Sequence, residues 1–191
     1  MIREPSSQGG FTLLELLITI TIATIILSAV SASWQSVIEN TAGKRAHSNL
    51  VQAFADARSV AVTSNVTTTL CPLDAELKCI SDWDGPISVF KDPNNDRRIT
   101  PATELVQTHH RASIGILTAS HSGPAERRYF QYNPDGSARG TIGNIVWCPD
   151  SAEASRAIQL RMNFGGRITW ALDRDGDGVR EDSKGQPLVC G

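Results

Sequence analysis

Hydrophobic positions fall into distinct regimes along the chain. From Phe11 to Ala32 nearly every position is apolar or a small hydroxyl, and the one charge in those 22 residues is Glu15. As a helix rising ~1.5 Å per residue, the segment extends ~33 Å, enough to cross a bilayer core. Beyond it Leu50, Val51, Phe54, Ala57 and Ala61 recur at spacings of three and four, an amphipathic stripe, and no proline interrupts the chain between Pro5 and Pro72. The pattern predicts one helix from about Phe11 to about Thr63, apolar all round in its first half and one-sided in its second. At ~80 Å it is too long to be the buried helix of a compact domain, so its first half is expected in a membrane or a filament core.

From Val66 onward the pattern changes to short strands. Val66–Leu70, Ile87–Phe90, Glu104–Gln107, Ser113–Leu117, Arg128–Tyr132, Ile142–Trp147, Ala157–Asn163 and Ile168–Leu172 are the candidates. Asn133-Pro134-Asp135-Gly136 marks a turn. Ile158, Leu160 and Met162 alternate with polar residues, as do Ile168, Trp170 and Leu172. A loop of Gly165, Gly166 and Arg167 would set Met162 opposite Trp170 and put both apolar sets on one face. That face has the one-sided half of the helix to pack on. The fold class is α+β.

A secretory signal peptide cleaved at Ala29-Val30-Ser31 or Val30-Ser31-Ala32 is the competing reading of the N-terminus. Its apolar region would be only ~7–15 residues, its leader positive and its core free of carboxylates. Here the apolar run is longer, Arg3 and Glu4 cancel, and Glu15 lies inside. A plain membrane anchor accounts for the length, but for neither Glu15 nor the short leader ending in Gly9-Gly10.

At Gly10-Phe11-Thr12-Leu13-Leu14-Glu15 the chain resembles type IV prepilins and type II secretion pseudopilins, whose signature is a short polar leader ending in Gly, then Phe-Thr-Leu-x-Glu and a long apolar helix. The resemblance implies that a prepilin peptidase cuts after Gly10 and methylates the new amino group of Phe11. It also implies that an inner-membrane assembly platform passes the chain into a filament of other pilins or pseudopilins. Three segments follow: a leader, 1–10; a transmembrane or filament-core half-helix, 11–32; and a periplasmic globular domain, 33–191, with the amphipathic half of the helix. A buried Glu15 is tolerable where a cation offsets its desolvation, and the free amine of a neighbouring Phe11 is such a cation. A glutamate snorkelling to headgroups is the alternative.

The stretch from Tyr129 to Trp170 resembles the soluble domain of the GspH/FimT/FimU group of minor pilins and pseudopilins. It has a strand ending in Asn133-Pro134-Asp135-Gly136, a strand ending at Cys148, then a strand leading into Gly166-Arg167. Antiparallel strand sets packed on one long helix, the type IV pilin fold, are what that resemblance implies.

The cleaved chain would have 181 residues, 191 less 10, enough for one domain. A formal charge of −2 points neither to wholesale nucleic-acid binding nor to an acidic tail. Four cysteines stand in a chain whose helix would place them outside the cytoplasm, where disulfides persist. Three pairings are possible; Cys71–Cys79, closing a short loop, and Cys148–Cys190, tying the chain end to the sheet, are favoured.

No Gly-x-Ser-x-Gly elbow, His-Glu-x-x-His or phosphate-cradling loop is present, and no enzyme activity is expected. His109-His110 reads as solvated surface rather than a metal pair. Asp173, Asp175, Asp177 and Gly178 reproduce the start of a calcium loop, with Lys184 at the twelfth position in place of glutamate and Asp182 or Glu181 as the substitute ligand. An acidic turn without an ion is the equal alternative. Asp92, Asn94 and Asp96 make a poorer copy. Some FimT-type pilins bind DNA through Gly-Arg-x-Arg; here Gly166-Arg167-Ile168-Thr169 lacks the second arginine, which argues against DNA at Arg167. The expectation is a non-catalytic minor pilin that helps initiate or cap a type IV pilus, with a minor pseudopilin of a type II secretion filament and a DNA-uptake pilin as alternatives.

Overall fold

The computed structural model describes residues 11–100, 105–110 and 114–190, apart from the side chains of 29–33. The expected leader 1–10 with Gly10, and the strand starts at Glu104 and Ser113, lie outside the described residues. Two compact units make up the chain, Met1–Ile38 and Glu39–Gly191.

One helix, α1, runs Leu13–Ser64. Both ends are written in its sequence. Thr12 caps the start, its hydroxyl accepting from the Glu15 amide at 3.2 Å, which is one half of a capping box. At the other end Asn65 takes the left-handed conformation, φ 53°, and the Val66 amide reaches back to the Ala61 carbonyl at 3.2 Å, closing the helix as a Schellman motif. In the first unit the apolar side chains from Leu13 to Leu27 stand exposed. Among the described residues no helix is long and apolar enough to cross a membrane; the apolar run counted in the sequence includes residues 29–33, whose side chains are not described.

In the second unit the helix presents Ala42, Ala46, Leu50, Ala53, Phe54, Ala57 and Ala61, all buried. Their spacing of three or four places them on one stripe, and the alanines let strands approach closely. Gly43 extends the same logic: a methyl group there would sit 2.9 Å from the Trp147 ring.

Among the described residues ten strands follow: β1 Thr68–Pro72, β2 Ile87–Lys91, β3 Leu105–His109, β4 Ile116–Ala119, β5 His121–Ser122, β6 Ala125–Glu126, β7 Phe130–Tyr132, β8 Gly143–Cys148, β9 Ile158–Met162 and β10 Ile168–Trp170. They form two four-stranded sheets, β3-β2-β1-β7 and β10-β9-β8-β4, and a separate β5-β6 hairpin. All their pairings are antiparallel. The helix stripe, Leu70 and Val89 of the first sheet, and Ile145, Trp147, Leu160 and Met162 of the second share one core. At its centre Phe54 meets Phe130 edge-on at 5.1 Å, and Phe130 meets Trp83 at 5.6 Å. Removing the Phe54 ring would cost ~3–5 kcal/mol, the usual range for a buried aromatic. β1 is buried along its whole length because its other face, with Cys71, packs a second cluster with Cys79, Phe90 and Ile99.

The expected last hairpin forms, but its register differs from the sequence reading. Ile168 pairs with Met162 and Trp170 with Leu160, so Met162 does not face Trp170. The loop is Phe164-Gly165-Gly166, closed by the Asn163 amide on the Arg167 carbonyl at 3.1 Å, with Gly166 at φ 70°. No side chain fits at Gly166, where a methyl group would lie 2.1 Å from the Gly136 carbonyl oxygen. The slip shifts every partner by two, an even number, so the apolar sets stay on the core face. Leu172 is a second correction: it is 61% exposed, whereas Ala171 is buried with Ala157 and Leu188. The strand ends at Trp170, and Leu172 instead bridges to Glu181.

Candidate functional site

The start of α1 is the first candidate. Glu15 stands at the third helical position, where a carboxylate favours the helix dipole, and its side chain is exposed. No Lys, Arg or His occurs from Phe11 to Gly43, so no side-chain cation stands near this carboxylate along the helix sequence.

A second carboxylate on the same helix was missed by sequence reasoning. Glu39 is fully buried, where it accepts from Ser151 Oγ at 2.9 Å and from the Arg156 guanidinium. Arg156 also reaches Glu153 at 3.1 Å. The signal was available: stepping the stripe back from Leu50 by threes and fours passes Ala46 and Ala42 and lands on Glu39, a charge at a core position.

The acidic loop gathers Asp173, Asp175, Asp177 and Glu181, each offering a carboxylate oxygen within 4.8 Å of the others. Gly176 and Gly178, at φ 82° and 90°, let the chain curl, and Asp173 accepts from both their amides at 2.7 and 3.0 Å. The fourth member is Glu181, not Asp182. The bridge from Leu172 to Glu181 closes the loop and turns Glu181 to its buried side, where its carboxylate accepts from the Arg174 amide at 2.9 Å. Asp182 lies outside that group and accepts from the Gln186 and Lys184 amides, which hold its carboxyl below the usual carboxylate range. These oxygens suit a hard cation such as calcium.

Asp92 in the poorer loop is structural. It is buried and accepts from Thr69 Oγ1 at 2.7 Å, Gln131 Nε2 at 3.1 Å and the amides of Asp96 and Arg97. The solvated reading of the histidine pair is corrected at His109, whose side chain is only 9% exposed with Nε2 3.0 Å from Asp56 on the helix; the His110 backbone carbonyl accepts from Asn49 at 2.8 Å.

Both disulfides are present, Cys71–Cys79 and Cys148–Cys190. The second holds the C-terminal strap that buries Leu188 on Ala157 and Ala171. Arg167 lines a cleft of about 480 Å³ with Arg58 of the helix and an apolar floor including Phe54, Val62 and Ile168. Thr169 stands exposed where a second arginine would be needed.

Comparison with known proteins bears on the family and the fold. The family model described as type II transport protein GspH matches residues 46–166, and that of the prokaryotic N-terminal methylation motif matches 5–31. The chain belongs to the GspH family of pilin-like proteins, and its long helix on antiparallel sheets is the type IV pilin fold. The crystal structure of the type IV minor pilin FimU of Pseudomonas aeruginosa is similar, with TM-score 0.52 and 18% identity over 80% of this chain and 96% of that one. The minor pseudopilin EpsH of the Vibrio cholerae type 2 secretion system is a weaker likeness, with TM-score 0.45 and 11% identity over 68% of this chain and 94% of that one. No curated protein matches the chain.

Proposed function

We propose that this chain is a non-catalytic minor pilin that helps initiate or cap a type IV pilus. The observation that carries the reading is Glu15, exposed on an apolar helix that begins at a methylation motif and holds no cation before Lys44. Once the leader is cut, the cation nearest to Glu15 in sequence is the Phe11 amino group, and in a filament the Phe11 amine of a neighbouring pilin is the intermolecular partner. The chain is anchored in the inner membrane by 11–32 with its domain in the periplasm, a placement supported by the two disulfides. A prepilin peptidase cuts between Gly10 and Phe11 and methylates Phe11, and the inner-membrane platform passes the chain into the filament. A minor pseudopilin of a type II secretion filament uses the same leader, helix and fold and is the second reading, favoured by the description of the matching family. DNA uptake would rest on Arg167 and Arg58 alone; submicromolar binding at physiological salt, lost on Arg167→Ala, would promote it.

Calcium at Asp173, Asp175, Asp177 and Glu181 belongs to the same proposal, ordering the segment that leads to the C-terminal strap.

Mass spectrometry of the native protein is expected to find N-methylated Phe11 at the start, and Glu15→Ala to be cleaved and folded but depleted from isolated filaments. A start near Ser31, or wild-type incorporation of Glu15→Ala, would overturn the reading. Which of pilus and secretion filament retains the chain in preparations of each separates the first reading from the second.

A further inference from the structure

The β5-β6 hairpin, the ends of β8, β9 and β10 and the start of the acidic loop enclose a cleft of about 860 Å³. Arg127, Arg161, Arg174 and His121 line it, and none of its lining residues is acidic. In a chain with 20 Asp and Glu against 18 Lys and Arg, that segregation of charge is unusual.

Arg127 is the centre of the site. It is 9% exposed, no acidic partner is within ion-pair distance among the described residues, and its Nε is buried without a hydrogen-bond acceptor. Arginine stays charged, and a buried guanidinium without an anion is costly. Phe130 offsets part of that cost, its ring 5.2 Å from the guanidinium carbon. The backbone holds Arg127 rigidly: its amide donates to the Ser120 carbonyl at 3.1 Å, and its carbonyl accepts from the Trp83 indole at 2.6 Å. Gly143 makes the room, since a methyl group there would lie 2.7 Å from Arg127 Nε. Arg161 has a second orphan Nε beside its bond to the Trp170 carbonyl. Asp182 outside the cleft feels the charge of Arg161, and Glu126 stands opposite His121 in the hairpin, but neither lines the cavity.

We propose that this cleft binds an acidic peptide segment of a partner protein, with a carboxylate entering to meet Arg127. Two features select a peptide over a nucleic acid. The least exposed guanidinium is reached by a projecting side chain, whereas phosphate backbones are tracked by exposed cations along a groove. Phe164 and Leu172, 71% and 61% exposed, stand on the cleft wall and offer apolar contact to the residues flanking the carboxylate. The chemistry is therefore a glutamate or aspartate between apolar neighbours.

The test is fluorescence anisotropy with the full chain in detergent micelles and a labelled Leu-Glu-Phe-Glu-Leu peptide, with the Gln-for-Glu peptide as control. The acidic peptide is expected to bind, and both the control peptide and Arg127→Gln are expected to weaken binding by about 30-fold. Arg174→Gln, at an exposed position, keeps the unfolding midpoint and weakens binding several-fold, which decides the matter should Arg127→Gln fail to fold. Equal binding of the two peptides, wild-type affinity of Arg174→Gln, or displacement of the peptide by an oligothymidylate or inorganic phosphate at lower concentration would overturn the assignment.

Discussion

Opening the Cys148–Cys190 disulfide isolates the contribution of chain topology, because the two disulfides close loops of different size. The separations are 42 residues for Cys148–Cys190 and 8 for Cys71–Cys79. Loop-closure entropy then assigns ~4 kcal/mol to the first and ~2.5 kcal/mol to the second at room temperature. The larger value carries a structural consequence. Leu188 is buried against Ala157 and Ala171, and Arg180 donates to the Ala157 carbonyl at 2.8 Å, contacts that the Cys148–Cys190 bond helps to keep in place. Paired Cys→Ala variants of each disulfide would be unfolded in denaturant as the full chain in micelles. Trp147, next to Cys148 and buried in the core, reports the transition by fluorescence. The Cys148→Ala/Cys190→Ala midpoint is expected to fall further than that of Cys71→Ala/Cys79→Ala, with slopes unchanged. A reversed order, or a loss below ~1 kcal/mol for the long loop, would refute the entropic reasoning.

Glu39→Ala leaves Arg156 to Glu153 alone and removes the acceptor of Ser151, and is expected to cost ~1–3 kcal/mol in denaturant unfolding; an unchanged midpoint would show the pair to be worth nothing. His47 stacks on Trp170 with ring centroids 3.9 Å apart, and desolvation, then the charge of Arg180, holds its pKa below 6.5. The folded state therefore binds that proton less readily than the unfolded state, so the His47 contribution is complete above the unfolded value and is lost as pH falls below it through the folded value. Stability measured from pH 7 down to about 5 should decline in wild type and decline less in His47→Phe, with parallel curves counting against this group. Calcium at ten times its Kd is expected to raise stability by about 1.4 kcal/mol, and Asp175→Asn to abolish the rise. A thermal midpoint equal in millimolar calcium and in chelator would leave the loop a solvated acidic turn.

The helix was legible because its causes are local: an unbroken apolar run, a stripe at helical spacing and no proline. Most strands were legible for the same reason, through β-branched and alternating residues. The β5-β6 hairpin was not, since two-residue strands carry no periodicity. Register in the last hairpin depended on Gly166, whose place against the Gly136 carbonyl is a tertiary contact. The fourth member of the acidic loop was decided by a bridge from Leu172 to Glu181, which selects between two adjacent carboxylates that sequence spacing treats alike. Charge placement was the least legible. Glu39 and Arg156 are 117 residues apart, and the arginines of the large cleft come from three separate segments. Sequence determines which side chains exist and how each helix or strand sorts its faces; only the packed sheets decide which charges meet and which, like Arg127, are buried without an anion.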